Sequence, residues 1–208
     1  MSGGVNQQKC YAGVMWLSEE FVVPSELALL YDFVNTLDER RYVEDGAAHV
    51  GGDEIETQRL LESWMRERGL LPRGGHIDAC EHRGALELRS GLRDFLRNPP
   101  ARRSQAKETA RQLAAASRKF PLLLTVSDEG AVELGPAPGS SALGSVVAQM
   151  IGLAKTDQMA RLKTCASDEC HWVFFDRSKP ANRHWCSSSR CGNRQKTRAY
   201  RERQRQVS

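Results

Sequence analysis

The chain has 208 residues, 40% of them hydrophobic and 7% aromatic, which is typical of a globular protein with one ordinary domain and a small appended module. No run approaches the roughly 18 consecutive apolar residues of a membrane-spanning helix, and the N-terminus lacks the basic-then-apolar pattern of an export signal, so we expect a cytoplasmic protein. The net charge of +4 is uneven, since residues 161–208 contain 12 Lys and Arg against 4 Asp and Glu, and this basic part favours a polyanionic partner.

Four helices are predicted in the first 118 residues, because apolar residues recur there at helical spacing. We place them at about residues 25–37, 53–68, 77–97 and 101–118. Ser25 is a candidate N-cap for the first, Gly69 ends the second, and Pro99–Pro100 ends the third. A loop rich in Gly, Asp and Glu is predicted at residues 44–52. The side chains expected in the core are Leu27, Leu30, Phe33, Leu37, Ile55, Leu60, Leu61, Trp64, Leu86, Leu88, Leu92, Phe95 and Leu96.

A β-hairpin and a further helix follow. Pro121–Val126 and Ala131–Leu134 are rich in aliphatic residues and flank a turn at residues 127–130, which predicts two paired strands. After a loop rich in Pro and Gly, Ser141 is a candidate N-cap for the next helix. The apolar face of that helix is expected to contain Leu143, Val147, Met150 and Ala154.

The six cysteines divide into two isolated residues, Cys10 and Cys80, and a group of four spaced C-x4-C-x15-C-x4-C. Isolated cysteines are usually small core residues. The group of four consists of Cys165, Cys170, Cys186 and Cys191. Two close pairs are typical of tetrahedral zinc, whereas a reducing cytoplasm disfavours two disulfides, and an iron–sulfur cluster is the remaining alternative. Because four cysteines complete the shell, we predict one structural Zn²⁺ and assign His171 and His184 to the surface.

A small fold is predicted around these cysteines. His171–Asp176 is a candidate strand, and Ser187 is a candidate N-cap for a helix that begins near Ser188. A module of this size needs a hydrophobic cluster beside its metal. The aromatic residues available for it are Trp172, Phe174 and Trp185.

The predicted fold is mainly α with a small β-hairpin. It consists of a helical N-terminal domain, residues 1–160, and a small treble-clef-like four-cysteine zinc module, residues 161–208. The difference in charge between these parts favours a sensor or assembly domain joined to a basic binding module, and we expect residues 1–160 to fold without the metal.

The predicted C-terminal helix carries an arginine stripe at spacings of 4, 4, 3 and 4 residues: Arg190, Arg194, Arg198, Arg201 and Arg205. Only Glu202 offers compensation on that helix, which favours contact with nucleic-acid phosphates over a merely solvated face. The residues predicted to bind nucleic acid are Arg183, Arg190, Asn193, Arg194, Lys196, Arg198, Arg201 and Arg205.

The cysteine pattern together with Cys191-Gly-Asn-Arg194 resembles the CGNR zinc finger, over residues 165–205. Further matching features are Phe175-Asp176, Arg183 before Trp185-Cys186, and Lys196. The resemblance implies a DNA-binding module at the end of the chain. Gly192 is expected to allow close backbone packing beside the metal. Asn193 and Arg194 either contact bases or support the zinc site, with Arg194 pairing to Asp176, and the same alternative applies to Arg183.

The N-terminal part resembles the ABATE domain that precedes this finger. The resemblance rests on LALLYDFVNTLDER (Leu27–Arg40) and LLESWMRERGLL (Leu60–Leu71). Members of that family are described as stress-induced transcription regulators, which implies a regulator with DNA as partner.

We therefore predict a transcription regulator that binds DNA through its zinc module. One finger offers little contact area, so recognition of specific sites requires either a homodimer or help from the N-terminal part, and an unidentified small-molecule effector is a candidate partner of the N-terminal part. One alternative is an RNA-binding protein, which the small number of available aromatic residues disfavours. A second is a small-molecule binder in which the zinc module is a scaffold. Its pocket would use residues for which capping or surface roles are commoner: Asp32, Asn35, Arg40, Glu62, Trp64 and Arg68. No catalytic motif is recognisable in residues 1–160, so no enzyme is predicted.

Overall fold

The computed structural model describes residues 16–44, 46–126 and 128–207, so Cys10 lies outside the described residues. The helices are α1 (Leu17–Glu20), α2 (Ala28–Val34), α3 (Gln58–Glu67), α4 (Ala79–Arg97), α5 (Lys107–Ser117), α6 (Gly144–Ala154), α7 (Gln158–Arg161) and α8 (Asn193–Val207). The strands are β1 (Leu37–Asp38), β2 (Val43–Glu44), β3 (Ala47–Ala48), β4 (Gly52–Asp53), β5 (Leu122–Val126), β6 (Val132–Pro136), β7 (Leu162–Thr164) and β8 (Val173–Phe175). They pair as four antiparallel sheets of two strands, β1 with β4, β2 with β3, β5 with β6 and β7 with β8.

The architecture is mainly helical with small hairpins, as predicted. Among the residues that the structure describes, no helix has both the length and the apolar character needed to cross a bilayer.

Local hydrogen bonds explain where the long helices begin and end. Thr57 accepts from the Leu60 amide and starts α3, and Asp78 accepts from the Glu81 amide and starts α4. Both helices therefore begin later than the apolar spacing indicated. Gly69 follows α3 with a φ of +68°, which confirms it as the end of that helix.

The first predicted helix is shorter than expected, and it is preceded by one turn of 3-10 helix at Ser25–Leu27 without a side-chain cap. Leu37 belongs to β1, where it pairs with Asp53. The chain leaves the helix here because the polar groups that follow find partners elsewhere: the Thr36 carbonyl, for example, accepts from the Glu54 amide. The predicted loop at residues 44–52 thus contains paired strands.

Further differences concern single positions. Leu60 is 41% exposed, and Cys80 lies on the exposed surface of α4 instead of in the core. A second 3-10 turn, Pro100–Arg102, delays α5 to Lys107.

The predicted hairpin of β5 and β6 is confirmed, with Leu124 opposite Leu134. The helix after it begins at Gly144, and the Ser141 hydroxyl accepts from the Leu143 amide just before that start. Leu143 and Val147 are buried as predicted, whereas Leu153, not Ala154, occupies the last buried position.

The main hydrophobic core contains residues of both the N-terminal part and the cysteine module, and the cysteine module also has a smaller cluster of its own. Leu162 of β7 and Val173 of β8 are fully buried in the same cluster as Leu30 and Leu88. Leu17 of α1, in the N-terminal part, packs against the buried cluster of the cysteine module that contains Trp172 and Phe174. The main core therefore extends across the predicted boundary at residue 160, because Leu162 and Val173 pack with residues of the N-terminal part.

Buried polar contacts reinforce this shared core. The Asn35 side chain accepts from the Val173 amide and donates to its carbonyl, both at 3.0 Å. The Trp172 indole donates to the Tyr31 hydroxyl at 3.1 Å, and the Arg40 guanidinium lies 4.1 Å from the centre of the Trp172 ring. These contacts fix the orientation of β8, and hence of the cysteines that precede it.

Candidate zinc centre and basic helix

The four cysteine sulfurs form one compact cluster. All lie within 4.8 Å of one another, with Sγ–Sγ distances of 3.6 Å between Cys170 and Cys186 and 3.7 Å between Cys186 and Cys191. Thiolates at about 2.3 Å from a tetrahedral Zn²⁺ are separated by about 3.8 Å, and the distances of 3.6 and 3.7 Å are close to that spacing.

Three short segments deliver these sulfurs: the turn between β7 and β8, the bend at Cys186, and the turn that contains Cys191. Cys165 and Cys170 lie in the turn between β7 and β8, where the Cys165 amide donates to the Trp172 carbonyl at 2.8 Å. Cys191 lies in a single π-helical turn, Ser188–Gly192, that leads into α8. Ser187 caps this turn as predicted, by accepting from the Arg190 amide. The turn that contains Cys191 therefore leads directly into the first residues of α8.

The pKa values of Cys165, Cys170 and Cys186 are shifted mainly by the other thiols of the cluster. A hydrogen bond from Cys170 lowers the pKa of Cys165, and contact with Cys165 raises the pKa of both Cys170 and Cys186. Four thiols this close cannot all ionise against one another's charge. A divalent cation removes that repulsion and favours the thiolate at every position.

Asp176 braces the loop between the two cysteine pairs. Its carboxylate is fully buried and accepts from the Lys163 ammonium at 2.8 Å, the Ser178 hydroxyl at 2.6 Å and the Arg183 amide at 2.8 Å. Burial by itself would raise the pKa of Asp176, but these donors together lower it well below its ordinary value. The expected pair between Asp176 and Arg194 is absent in the described residues, because Lys163 occupies that place.

Arg183 also supports the cysteine loop. Its Nη2 donates to the Cys186 carbonyl at 2.6 Å, and its guanidinium lies 5.6 Å from the centre of the Phe174 ring. It lines a different cleft from the one along α8. Phe174 and Trp172 are buried beside the cysteines and Trp185 is partly buried there, which confirms the predicted aromatic cluster.

The predicted arginine stripe lies along an open groove on α8. The groove has a volume of about 710 Å³, and its lining includes Arg190, Asn193, Arg194, Arg198, Arg201 and Arg205, together with Glu169 and Glu202. Arg198 has weak acidic neighbours, Asp168 at 3.9 Å and Glu202 at 3.6 Å. Lys196 is exposed on α8 outside this lining. Direct contact of these residues with nucleic acid remains a prediction.

The first two arginines of the stripe contact the N-terminal part. Arg190 donates to the Tyr42 hydroxyl at 3.1 Å, while the Arg194 guanidinium lies 4.5 Å from the Tyr42 ring centre and donates to the Val43 carbonyl at 2.7 Å. Tyr42 in turn stacks on His49. The hairpin of β2 and β3 therefore holds the start of α8. A lone tyrosine in an acidic loop gave no sequence signal for this contact.

The residues proposed for a pocket make structural contacts in the part of the chain that the structure describes, and two of them, Asp32 and Arg68, form a buried ion pair at 4.0 Å. Asp32 accepts from the Ser18 amide and hydroxyl, and its pKa is raised by burial. Glu62 accepts from the Ile77 amide. The Arg68 guanidinium lies 4.1 Å from the centre of the Trp64 ring. Asn35 and Arg40 form the links to β8 described above.

Gly192 is predicted to tolerate a larger residue. A Cβ added there would lie 3.6 Å from the Trp185 ring and 3.7 Å from the Ser187 carbonyl oxygen, which are ordinary contacts, so the expected close packing does not require glycine. Gly192→Ala is expected to keep one zinc per chain and to change the free energy of unfolding by less than about 1 kcal/mol. In the control Gly91→Ala, the new Cβ would lie 3.2 Å from the Leu113 Cα, and a loss of about 1–3 kcal/mol is expected.

Elemental analysis and urea denaturation of both variants test this expectation. Loss of zinc from Gly192→Ala would show that zinc binding requires glycine at this position for a reason other than the room available for a side chain.

Comparison with protein families agrees with this geometry. Residues 161–204 match the family model described as "CGNR zinc finger", and residues 27–157 match the ABATE model, described as "Putative stress-induced transcription regulator". No curated protein matches the chain. The four clustered cysteines lie inside the first match, and together the two findings indicate a zinc-binding site.

Proposed function

The chain belongs to the ABATE family and carries a CGNR zinc finger, and from this premise we propose that it is a transcription regulator whose zinc-anchored helix α8 binds duplex DNA. Zinc has a structural role in this proposal, and no catalytic step is included. The N-terminal part orients α8 through the core that it shares with the zinc module.

The observation that carries the proposal is the arginine-lined groove on α8. Arg198, Arg201 and Arg205 are exposed on consecutive turns, and the start of the same helix is fixed by Cys191. Guanidinium groups that neutralise phosphates release condensed counterions, so a rigid basic stripe gains affinity for any duplex. A helix held at one end by a metal also presents that stripe at a defined angle.

Sequence-specific recognition requires more than this one helix, because a single finger contacts few base pairs. We therefore include a homodimer in the proposal, with duplex DNA preferred over RNA. Among the described residues, the lining of the open groove contains no aromatic side chain, whereas proteins that bind single-stranded RNA stack bases on such residues.

A salt titration of duplex DNA binding tests the proposal. The affinity of the unmodified protein is expected to fall steeply with salt. The double variant Arg198→Ala/Arg201→Ala is expected to bind every duplex more weakly, with the log–log slope reduced by up to about two units, because two phosphate contacts are lost.

The control is Arg83→Ala/Arg111→Ala, which removes the same charge from exposed positions on α4 and α5. It is expected to bind as the unmodified protein does. If the unmodified protein binds no duplex at low salt, or if the two double variants behave alike, the stripe is a solvated face and DNA binding is rejected. Tighter binding to an RNA of the same sequence would favour the RNA alternative.

A further inference from the structure

A second cleft lies where the N-terminal part meets the zinc module, and we call it the seam cleft. It has a volume of about 680 Å³, within the range of 300–1,000 Å³ that small-molecule sites occupy. One wall is formed by the end of α4 and the residues after it, and the other by α7, β7 and the 181–184 loop. Much of the lining is apolar: Leu96, Pro99, Pro100, Ala101, Ala160 and Ala166.

The charged lining of the seam cleft is mainly positive, with Asp157 as its acidic residue among the described ones. Two of its cationic side chains, those of Arg161 and Arg183, donate hydrogen bonds to uncharged backbone carbonyls. Arg161 donates to the carbonyls of Asp176 and Ser178, and Arg183 donates to the Cys186 carbonyl. Carbonyl acceptors orient a guanidinium without cancelling its charge. Neither arginine has a carboxylate within 4 Å in the part of the chain that the structure describes, so the cleft is complementary to an anion.

Two buried polar atoms of the lining lack hydrogen-bond partners among the described residues. They are Nε of Arg183 and the hydroxyl oxygen of Thr164. Buried polar groups are almost always paired, and each exception calls for a partner that the protein itself does not supply. An oxygen-bearing anion in the cleft is a suitable partner for both groups once a side-chain rotation exposes them, because both atoms are buried in this structure.

The backbone of the seam cleft is strained at two positions. His171 and Ala181 line it with φ values of +51° and +47°, in the left-handed region that non-glycine residues seldom adopt. Such strain persists where the surrounding structure enforces it, and it is concentrated at ligand sites. Here Arg93 donates to the His171 carbonyl at 3.2 Å and helps to hold that conformation.

From these observations we propose that the seam cleft binds a small organic carboxylate with an apolar body. The carboxylate lies toward Arg183 and Arg161, and the apolar body lies against the proline and alanine wall. Such a ligand touches both the end of α4 and the loop that carries Arg183, so it joins the N-terminal part to the zinc module.

Calorimetric titration of the full-length zinc protein with octanoate tests the proposal, with octanamide as the uncharged comparison. We expect saturable 1:1 binding of octanoate and at least tenfold weaker binding of octanamide. Ala160→Trp places a large side chain at an exposed position in the cleft and is expected to weaken octanoate binding at least tenfold. Ala114→Trp, an exposed substitution on α5, is the control and is expected to bind as the unmodified protein does.

The proposal is overturned if octanoate does not bind at millimolar concentration, or if Ala160→Trp binds it unchanged. Equal binding of octanoate and octanamide overturns the assignment of a carboxylate, because the cations then contribute nothing. No DNA is present in this titration, so its outcome is independent of whether α8 binds a duplex.

Discussion

Replacing Cys170 with Ser is expected to destabilise the whole chain, including the helices that precede the zinc module. Structural zinc contributes about 10–16 kcal/mol of folding free energy in zinc-finger peptides, while an entire domain is stable by only about 5–15 kcal/mol. Because Leu162 and Val173 lie in the main core, loss of the metal exposes apolar surface on both parts. We expect the variant to lose zinc and at least about 5 kcal/mol of stability.

Circular dichroism during heating measures this effect, since most of the described helices lie before residue 160. A loss of about 5 kcal/mol lowers Tm by about 10–20 °C in a chain of this length. The control Cys80→Ser removes an exposed thiol from α4 and is expected to melt as the unmodified protein does. A helical transition that is unchanged in Cys170→Ser would contradict the shared core and support an N-terminal domain that folds alone.

Asn35→Ala is expected to lower the free energy of unfolding by about 3 kcal/mol. Asn35 is 1% exposed, and its side chain pairs with both backbone groups of Val173. Truncation leaves a buried N–H and a buried carbonyl without partners, at a cost of about 1–3 kcal/mol each. The effect is expected in the stability of the whole molecule, because these bonds connect the two parts.

Urea denaturation measures this difference. Asn182→Ala, at an exposed position in the zinc module, is the matched control and is expected to change stability by less than about 0.5 kcal/mol. If Asn35→Ala also lies within that range, water replaces the lost hydrogen bonds and the contact with Val173 is not a structural link.

The zinc centre was predictable because its information is local in sequence. Two pairs of cysteines, each separated by four residues, need only a turn to bring their sulfurs together, and the structure has such turns at both pairs. The aromatic cluster followed for the same reason, since Trp172 and Phe174 are adjacent to the ligands. The positions of the helices could also be predicted from local sequence. The first residues of α3 and α4, however, depend on one capping hydrogen bond each, made by Thr57 and Asp78.

The shared core was not predictable in the same way. The change in net charge at residue 160 describes the surface, and it contains no information about which apolar residues pack together. Val173 and Asn35 are 138 positions apart, so no periodic pattern relates them. The pairing of Leu37 with Asp53 was missed for a similar reason, because the intervening loop is rich in residues that predict turns.

In the proposed complex with DNA, Tyr42 and the phosphates would compete for the guanidinium groups of Arg190 and Arg194. Phosphates that take the guanidinium nitrogens now donated to Tyr42 and Val43 would weaken the contacts that hold the β2–β3 hairpin against α8. By thermodynamic linkage, a change that draws the hairpin away strengthens phosphate binding by the same free energy. The hairpin of the N-terminal part would thus set the affinity of the basic helix without any movement of the zinc cage.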